Sequence, residues 1–246
     1  MYEKTQMVWM DTRNLFTNKM WLFYSTLFPI ALVLIMGYLS EESFGKVMTS
    51  YDYYAISMMI YTVFSTATLS ANSFMEEKIK AGNMRIIYCP IPSSFLYQSK
   101  IISTWIFGYV THMVSFLLIL VMVEHHLHDA LWMIMLLFLV AELFASTIGV
   151  MMCCILKSES SANQIISSLL ALVALLGGCF FSMERLGGLF AMASKVSPFY
   201  WIMNAIFLNI YDGTMVPSFL VLMAFGILSI LCFMVCRKTF HVEDCL

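Results

Sequence analysis

Residues 130–156 read ALWMIMLLFLVAELFASTIGVMMCCIL, a run whose single charged residue is Glu142. A helix needs about 20 mostly apolar residues to cross the hydrocarbon core of a bilayer. Runs of the same kind flank this one near 20–40, 53–75, 99–123, 163–182 and 216–236. The whole 246-residue chain is 61% hydrophobic and only 11% charged, against roughly 25% charged in a soluble domain. No interval between the runs is long enough to fold as a water-soluble domain. The expectation is an all-α polytopic membrane protein with six transmembrane helices, forming one domain over residues 1–246.

Residues 1–19 are polar but carry Tyr2, Trp9 and Phe16 at intervals of seven, one stripe of a helix. Lys4, Asp11 and Asn18 lie off that stripe. The expected element is a helix lying in the membrane interface with its rings toward lipid; the plainer reading is a polar tail. The segment has charges throughout and no short apolar run ending at a small-residue cleavage site, so it is expected to stay attached.

Lys and Arg set the orientation, because they collect on the cytoplasmic side. Alternating spans put ten of the thirteen on the side of the two termini and leave Lys46, Arg185 and Lys195 on the other. Both termini are therefore expected in the cytoplasm of a multi-pass plasma-membrane protein. Six of the seven cysteines fall on or near that reducing side, where structural disulfides are not expected. Cys232 and Cys236 share a helix face but have no His or carboxylate beside them, which suits packing better than metal binding.

Two connections are more than loops. Residues 76–92 open on Glu76 and Glu77, which suit a helix N-terminus. Gly82 interrupts, a short amphipathic run around Arg85 follows, and Pro90 and Pro92 end it. A short helix parallel to the membrane, able to dock in a groove of a soluble partner, is the economical reading; a plain connector is the other. Residues 183–212 fall outside the cell by the charge count yet are apolar. Gly177-Gly178, Gly187-Gly188 and Ser197-Pro198 punctuate the region. Two short helices entering the outer leaflet and returning would satisfy the backbone, provided protein or a cavity covers the break. Such a re-entrant hairpin suggests a lid or gate; a purely structural pair of half-spans is the alternative.

This order of features resembles the type-2 ABC exporter permeases. One carrying stretch is Glu76-Glu77, Gly82, Met84-Arg85-Ile86-Ile87, Pro90, Ser93 and Lys100. The other is Gly177-Gly178-Cys179-Phe180-Phe181, Glu184, Ser197-Pro198-Phe199-Tyr200-Trp201 and Ala205. Ser182 and Gly187 stand where many members carry proline. The resemblance implies an ATP-driven exporter in which two permeases, copies or relatives, enclose a central route. It implies that Glu76, Glu77, Gly82, Arg85 and Pro90 form the coupling helix that meets two cytoplasmic ATPase subunits. It implies that Gly177, Gly178, Glu184, Pro198 and Trp201 shape the outer gate. The chain has no GxxxxGK[ST] phosphate loop, so ATP and Mg are expected on the partner ATPase, with no catalytic residue and no cofactor here. The expected cargo is amphipathic: an antimicrobial peptide, a lipopeptide or a hydrophobic drug, as in multidrug-resistance exporters. A lipid-linked glycan or lipid is the alternative.

His112 and Glu142 fall near the middles of the third and fourth spans, roughly 16–21 Å from the helix ends at 1.5 Å rise per residue. A charge there costs at least ~2.5 kcal/mol, so a partner or water is expected. The pair could be a polarity filter, a proton-linked site or an interhelical hydrogen bond. An intramembrane enzyme would need a fuller set, and no nucleophile accompanies these two. Glu124, His125, His126, His128 and Asp129 crowd one outer loop. Such residues can hold zinc or copper, but turns expose polar residues anyway, and no metal is assigned.

Overall fold

The computed structural model describes residues 2–45, 48–76, 92–123, 131–181, 183 and 187–240. Among these, six helices are long and apolar enough to cross a membrane. Helix α1 (Tyr2–Thr17) precedes the first of them, α2 (Lys19–Leu39). Helices α3 (Ser50–Met75), α4 (Ser94–Met122), α5 (Leu131–Leu156) and α6 (Glu159–Leu176) follow. Two shorter helices, α7 (Gly188–Ser194) and α8 (Pro198–Asp212), lead into the last span, α9 (Val216–Thr239). The chain is thus a multi-pass helical membrane protein.

Local chemistry explains where the helices begin. Asn18 accepts hydrogen bonds from the Met20 and Trp21 amides, which ends α1 and starts α2. Thr49 and Asp52 form a reciprocal capping box at α3. Ser158 caps α6, and Ser197 caps α8 with Pro198 in its first turn. The fifth span differs from the expected 163–182. It starts four residues earlier, at the Ser158 cap, and ends at Leu176. Gly177 closes the helix and Gly178, at φ 82°, turns the chain away.

Burial inverts the rule for water-soluble proteins. The least apolar span, α3, is the most enclosed: 89% of its most apolar window is buried, against 22% for α9, the most apolar. Lipid accepts Leu and Ile faces freely, so the protein interior gathers small and hydroxyl residues that pack closely and bond across helices. Thr66, Ala67, Ser70 and Ala71 of α3 are all buried there, as their sequence suggested. Gly149 of α5 lies so close to α3 that a Cβ there would stand 2.1 Å from the Ala67 carbonyl oxygen. Ser70 donates to the Ser146 carbonyl at 2.6 Å, and the Trp105 indole donates to the Leu139 carbonyl at 2.9 Å. Helices α3, α4 and α5 are joined by these bonds.

Candidate functional site

Residues 77–91, with Glu77, Gly82, Arg85 and Pro90, lie outside the described residues, as do Glu184 and the loop bearing His125, His126 and His128. What the structure places is the frame around the first of these segments. Glu76 is the C-cap of α3, half-buried, with its amide bonded to the Asn72 carbonyl. The Asn163 side chain of α6 donates to the Asn72 side chain one turn earlier. On the far side of the segment, α4 opens against α1. Lys100 Nζ lies 2.6 Å from Asp11 Oδ1, and Ser99 Oγ donates to Asp11 Oδ2 at 3.0 Å. Lys4 Nζ sits 3.5 Å from the centre of the Phe95 ring.

Helix α1 is therefore fastened to the start of the third span. Its buried side is Thr12 and Leu15, and Phe16 packs edge-on against Phe107 of α4. Trp9 points away, 68% exposed. Of the aromatic stripe read from the sequence, Phe16 thus makes a protein contact and Trp9 faces outward. Both members of the ion pair are largely buried, and hydrogen bonds to charged groups contribute about 1.5–3 kcal/mol. Asp11→Asn should consequently raise amide hydrogen exchange across 2–17 at least about tenfold, a 1.4 kcal/mol loosening, and leave α3 unchanged. Equal protection of α1 in variant and wild type would show that the pair does not hold it.

At mid-span, His112 and Glu142 meet. His112 Nδ1 is hydrogen-bonded to Glu142 Oε1 between α4 and α5, and both side chains are buried. Gly108, one turn before His112, makes room for the carboxylate. A Cβ on it would lie 2.6 Å from Glu142 Oε2 and 3.1 Å from Thr66 Oγ1 of α3. Three helices thus converge on one carboxylate.

At the opposite end from the chain termini, α3 holds the crossing between α6 and α8. The Tyr53 hydroxyl donates to the Gly178 carbonyl, and Tyr54 donates to the Phe180 carbonyl at 2.9 Å. Ser197 Oγ donates to the Val173 carbonyl at 2.7 Å. Gly177 lets α8 come close: a Cβ there would stand 2.6 Å from Phe199 Cβ. Phe199 packs on Phe64, fourteen residues into α3, whereas Phe207 stacks on Tyr53, near the start of α3. Helix α8 therefore runs from deep beside α3 back toward that helix's first turn. Trp201 is half-exposed and its indole donates to the Lys195 carbonyl at 2.9 Å. The candidate gate residues Gly177, Gly178 and Pro198 are all in this crossing. Tyr53, Tyr54 and Ser197 hold it, and sequence reading did not single out the tyrosines. Two adjacent tyrosines opening a span were the available signal.

No curated protein matches the chain. The family model described as ABC-2 type transporter matches residues 4–211, which is all but the ends of the path from α1 through α8. The chain therefore belongs to the ABC-2 type transporter family, as the multi-pass membrane permease that works with ABC ATPase subunits.

Proposed function

We propose that this permease exports an amphipathic substrate, such as an antimicrobial peptide, a lipopeptide or a hydrophobic drug, using two copies of a separate cytoplasmic ATPase. Both termini and residues 76–92 face the cytoplasm in this reading. ATP-driven closure of the ATPases pushes on residues 76–92, and the push reaches α3 through Glu76 and α4 through Ser94. Helices α7 and α8 form an outer re-entrant hairpin that opens and closes the exit. The observation that carries the reading is the crossing at Gly177–Phe199, where α8 starts deep beside Phe64 and returns to Tyr53. The bonds that hold it run from hydroxyls on side chains to backbone carbonyls, so they can break and re-form without exposing a charge. A second copy of the permease packs on α6, which leaves Leu169 and Leu172 exposed along the face opposite its bundle contacts.

The test is co-expression with the ATPase, followed by ATP-dependent uptake of a labelled amphipathic peptide into inside-out vesicles. Arg85→Glu and Glu77→Lys should abolish co-purification of the ATPase. Ser197→Ala with Tyr53→Phe should keep the complex and its ATP turnover but cut uptake at least about tenfold, since about 1 kcal/mol per lost bond shifts the closed state. An ATPase that still binds the Arg85 and Glu77 variants would refute the coupling role. Unchanged uptake in the hairpin variant would refute the gate.

A further inference from the structure

Helix α9 is held to the bundle along a single stripe. Ser218, Val221, Phe225, Ser229 and Cys236 are buried, and Phe233 and Phe240 continue the same spacing of three or four residues. The stripe is anchored near both ends. Toward α8, Ser218 Oγ donates to the Ala205 carbonyl of that helix at 3.0 Å. Phe225 packs edge-on against Phe64 of α3 and Phe144 of α5, and Phe64 in turn touches Phe199 of α8. At the other end, the Phe240 ring lies 6.2 Å from the Phe74 ring and 5.2 Å from the Tyr97 ring, centre to centre. Phe233 lies 5.8 Å from the same Tyr97 ring.

The position of Phe74 and Tyr97 gives this contact its meaning. Phe74 is the penultimate residue of α3, and Tyr97 stands in the first turn of α4. Both are fully buried, and they border residues 76–92 from its two sides. The Phe240 ring thus touches one side chain from each helix that brackets that segment. It does not hang on a loose tail: the Phe240 amide donates to the Cys236 carbonyl at 2.9 Å, which completes the last turn of α9. Ser218 and Phe240 stand about 33 Å apart along the helix at 1.5 Å rise per residue. No proline lies beyond the first turn of α9, so the usual cause of a sharp kink is missing. Close-packed rings follow their neighbours or separate; they do not stretch. A shift of the bracketing helix ends therefore moves α9 as a unit, and the Ser218 bond hands the movement to α8.

We propose that Phe240 is a positioning residue of the transport cycle: its ring, set against Phe74 and Tyr97, ties α9 to the two helices that bracket residues 76–92, and α9 carries their movement to α8. The inference rests on the reading of residues 76–92 as the contact with the ATPase. It adds a route to the outer hairpin beside the one through α3, and it is independent of which substrate the permease carries.

The experiment is amide hydrogen exchange on the full permease–ATPase complex in nanodiscs, with and without trapping of the ATPase by ADP and vanadate. Residues 76–92 report the push, and the α8–α9 turn at 212–216 reports its arrival. In wild type, trapping should change exchange at both. Phe240→Ala should keep the response of 76–92 and cut that of 212–216 at least about fivefold, the scale of one lost aromatic pair. Phe240→Tyr keeps the ring and should restore the response. Met234→Ala removes apolar bulk from the exposed face of the same helix and should match wild type. Phe240→Leu keeps bulk without the ring and carries the same test if the alanine variant does not assemble. A full response of 212–216 without the ring, no rescue by tyrosine, or the same drop in Met234→Ala would overturn the joint. So would a wild type in which 76–92 responds and 212–216 does not. A wild type whose residues 76–92 do not respond would refute the coupling reading itself, and the joint with it.

Discussion

Glu142→Ala should cost the bundle about 1–3 kcal/mol, the penalty for leaving a buried polar group without its partner. His112→Ala should cost a similar amount. The reason is geometric. Glu142 is fully buried between α3, α4 and α5, bonded to His112 and beside Thr66 and Gly108. Removing the carboxylate strands an imidazole in a dry interface. Replacing both partners by leucine should restore much of the loss, because apolar residues of similar size tolerate the site. Detergent-induced unfolding of the purified protein measures the cycle. Interhelical hydrogen bonds in membranes average only about 0.6 kcal/mol. Single-variant losses of that size would show the pair to be an ordinary contact. Transport separates structure from chemistry. If the pair only clasps helices, the double leucine variant transports and Glu142→Gln equals wild type. A polarity filter or proton-linked site loses transport in both.

Gly149→Ala should be at least as harmful, although it adds one methyl group. That carbon would stand 2.1 Å from the Ala67 carbonyl oxygen and 2.8 Å from Ser70 Cβ. The first obstacle is backbone, so no side chain can turn aside and α3 and α5 must separate. Overpacking costs about 1–3 kcal/mol and occasionally more. Separation here also lengthens the Ser70–Ser146 bond, which places the expected cost at the top of that range. The monodisperse peak in detergent chromatography should fall several-fold. Gly226→Ala is the control: a Cβ there meets nothing within 4 Å, and removing a mid-helix glycine gains roughly 0.5–1 kcal/mol. A Gly149 variant that behaves like the Gly226 variant would mean the two helices are not in close contact.

Much of this architecture is legible in the sequence because lipid imposes one strong requirement, length without charge. The runs near 130–156 and 216–236 begin within a residue of their helices. The hydroxyl-rich stretch Ser65–Ala71 marks α3 as an interior helix, because small polar residues are poor lipid contacts and good helix contacts. His112 and Glu142 are legible too, as groups too costly to leave alone in hydrocarbon. The end of the fifth span was not, since residues 177–182 are apolar and only the conformation of Gly178 turns the chain there. Nor was the Asp11–Lys100 pair. A charge count treats lysines near a membrane as solvent-facing, and nothing local joins residues on different helices. Gly108 and Gly149 look alike to Gly226 in sequence; what separates them is the neighbour each one faces.

The bond between Asp11 and Lys100 also orders how the protein is made. The two residues are 89 positions apart, and synthesis proceeds at about 5–20 residues per second. Helix α1 therefore leaves the ribosome roughly 4–18 s before its anchor exists. During that interval the newborn N-terminal helix lacks its charged anchor, and two hydrophobic segments must be inserted ahead of the third. Docking of α1 then serves as a late checkpoint in biogenesis, closed only once the third segment has been threaded into the bilayer.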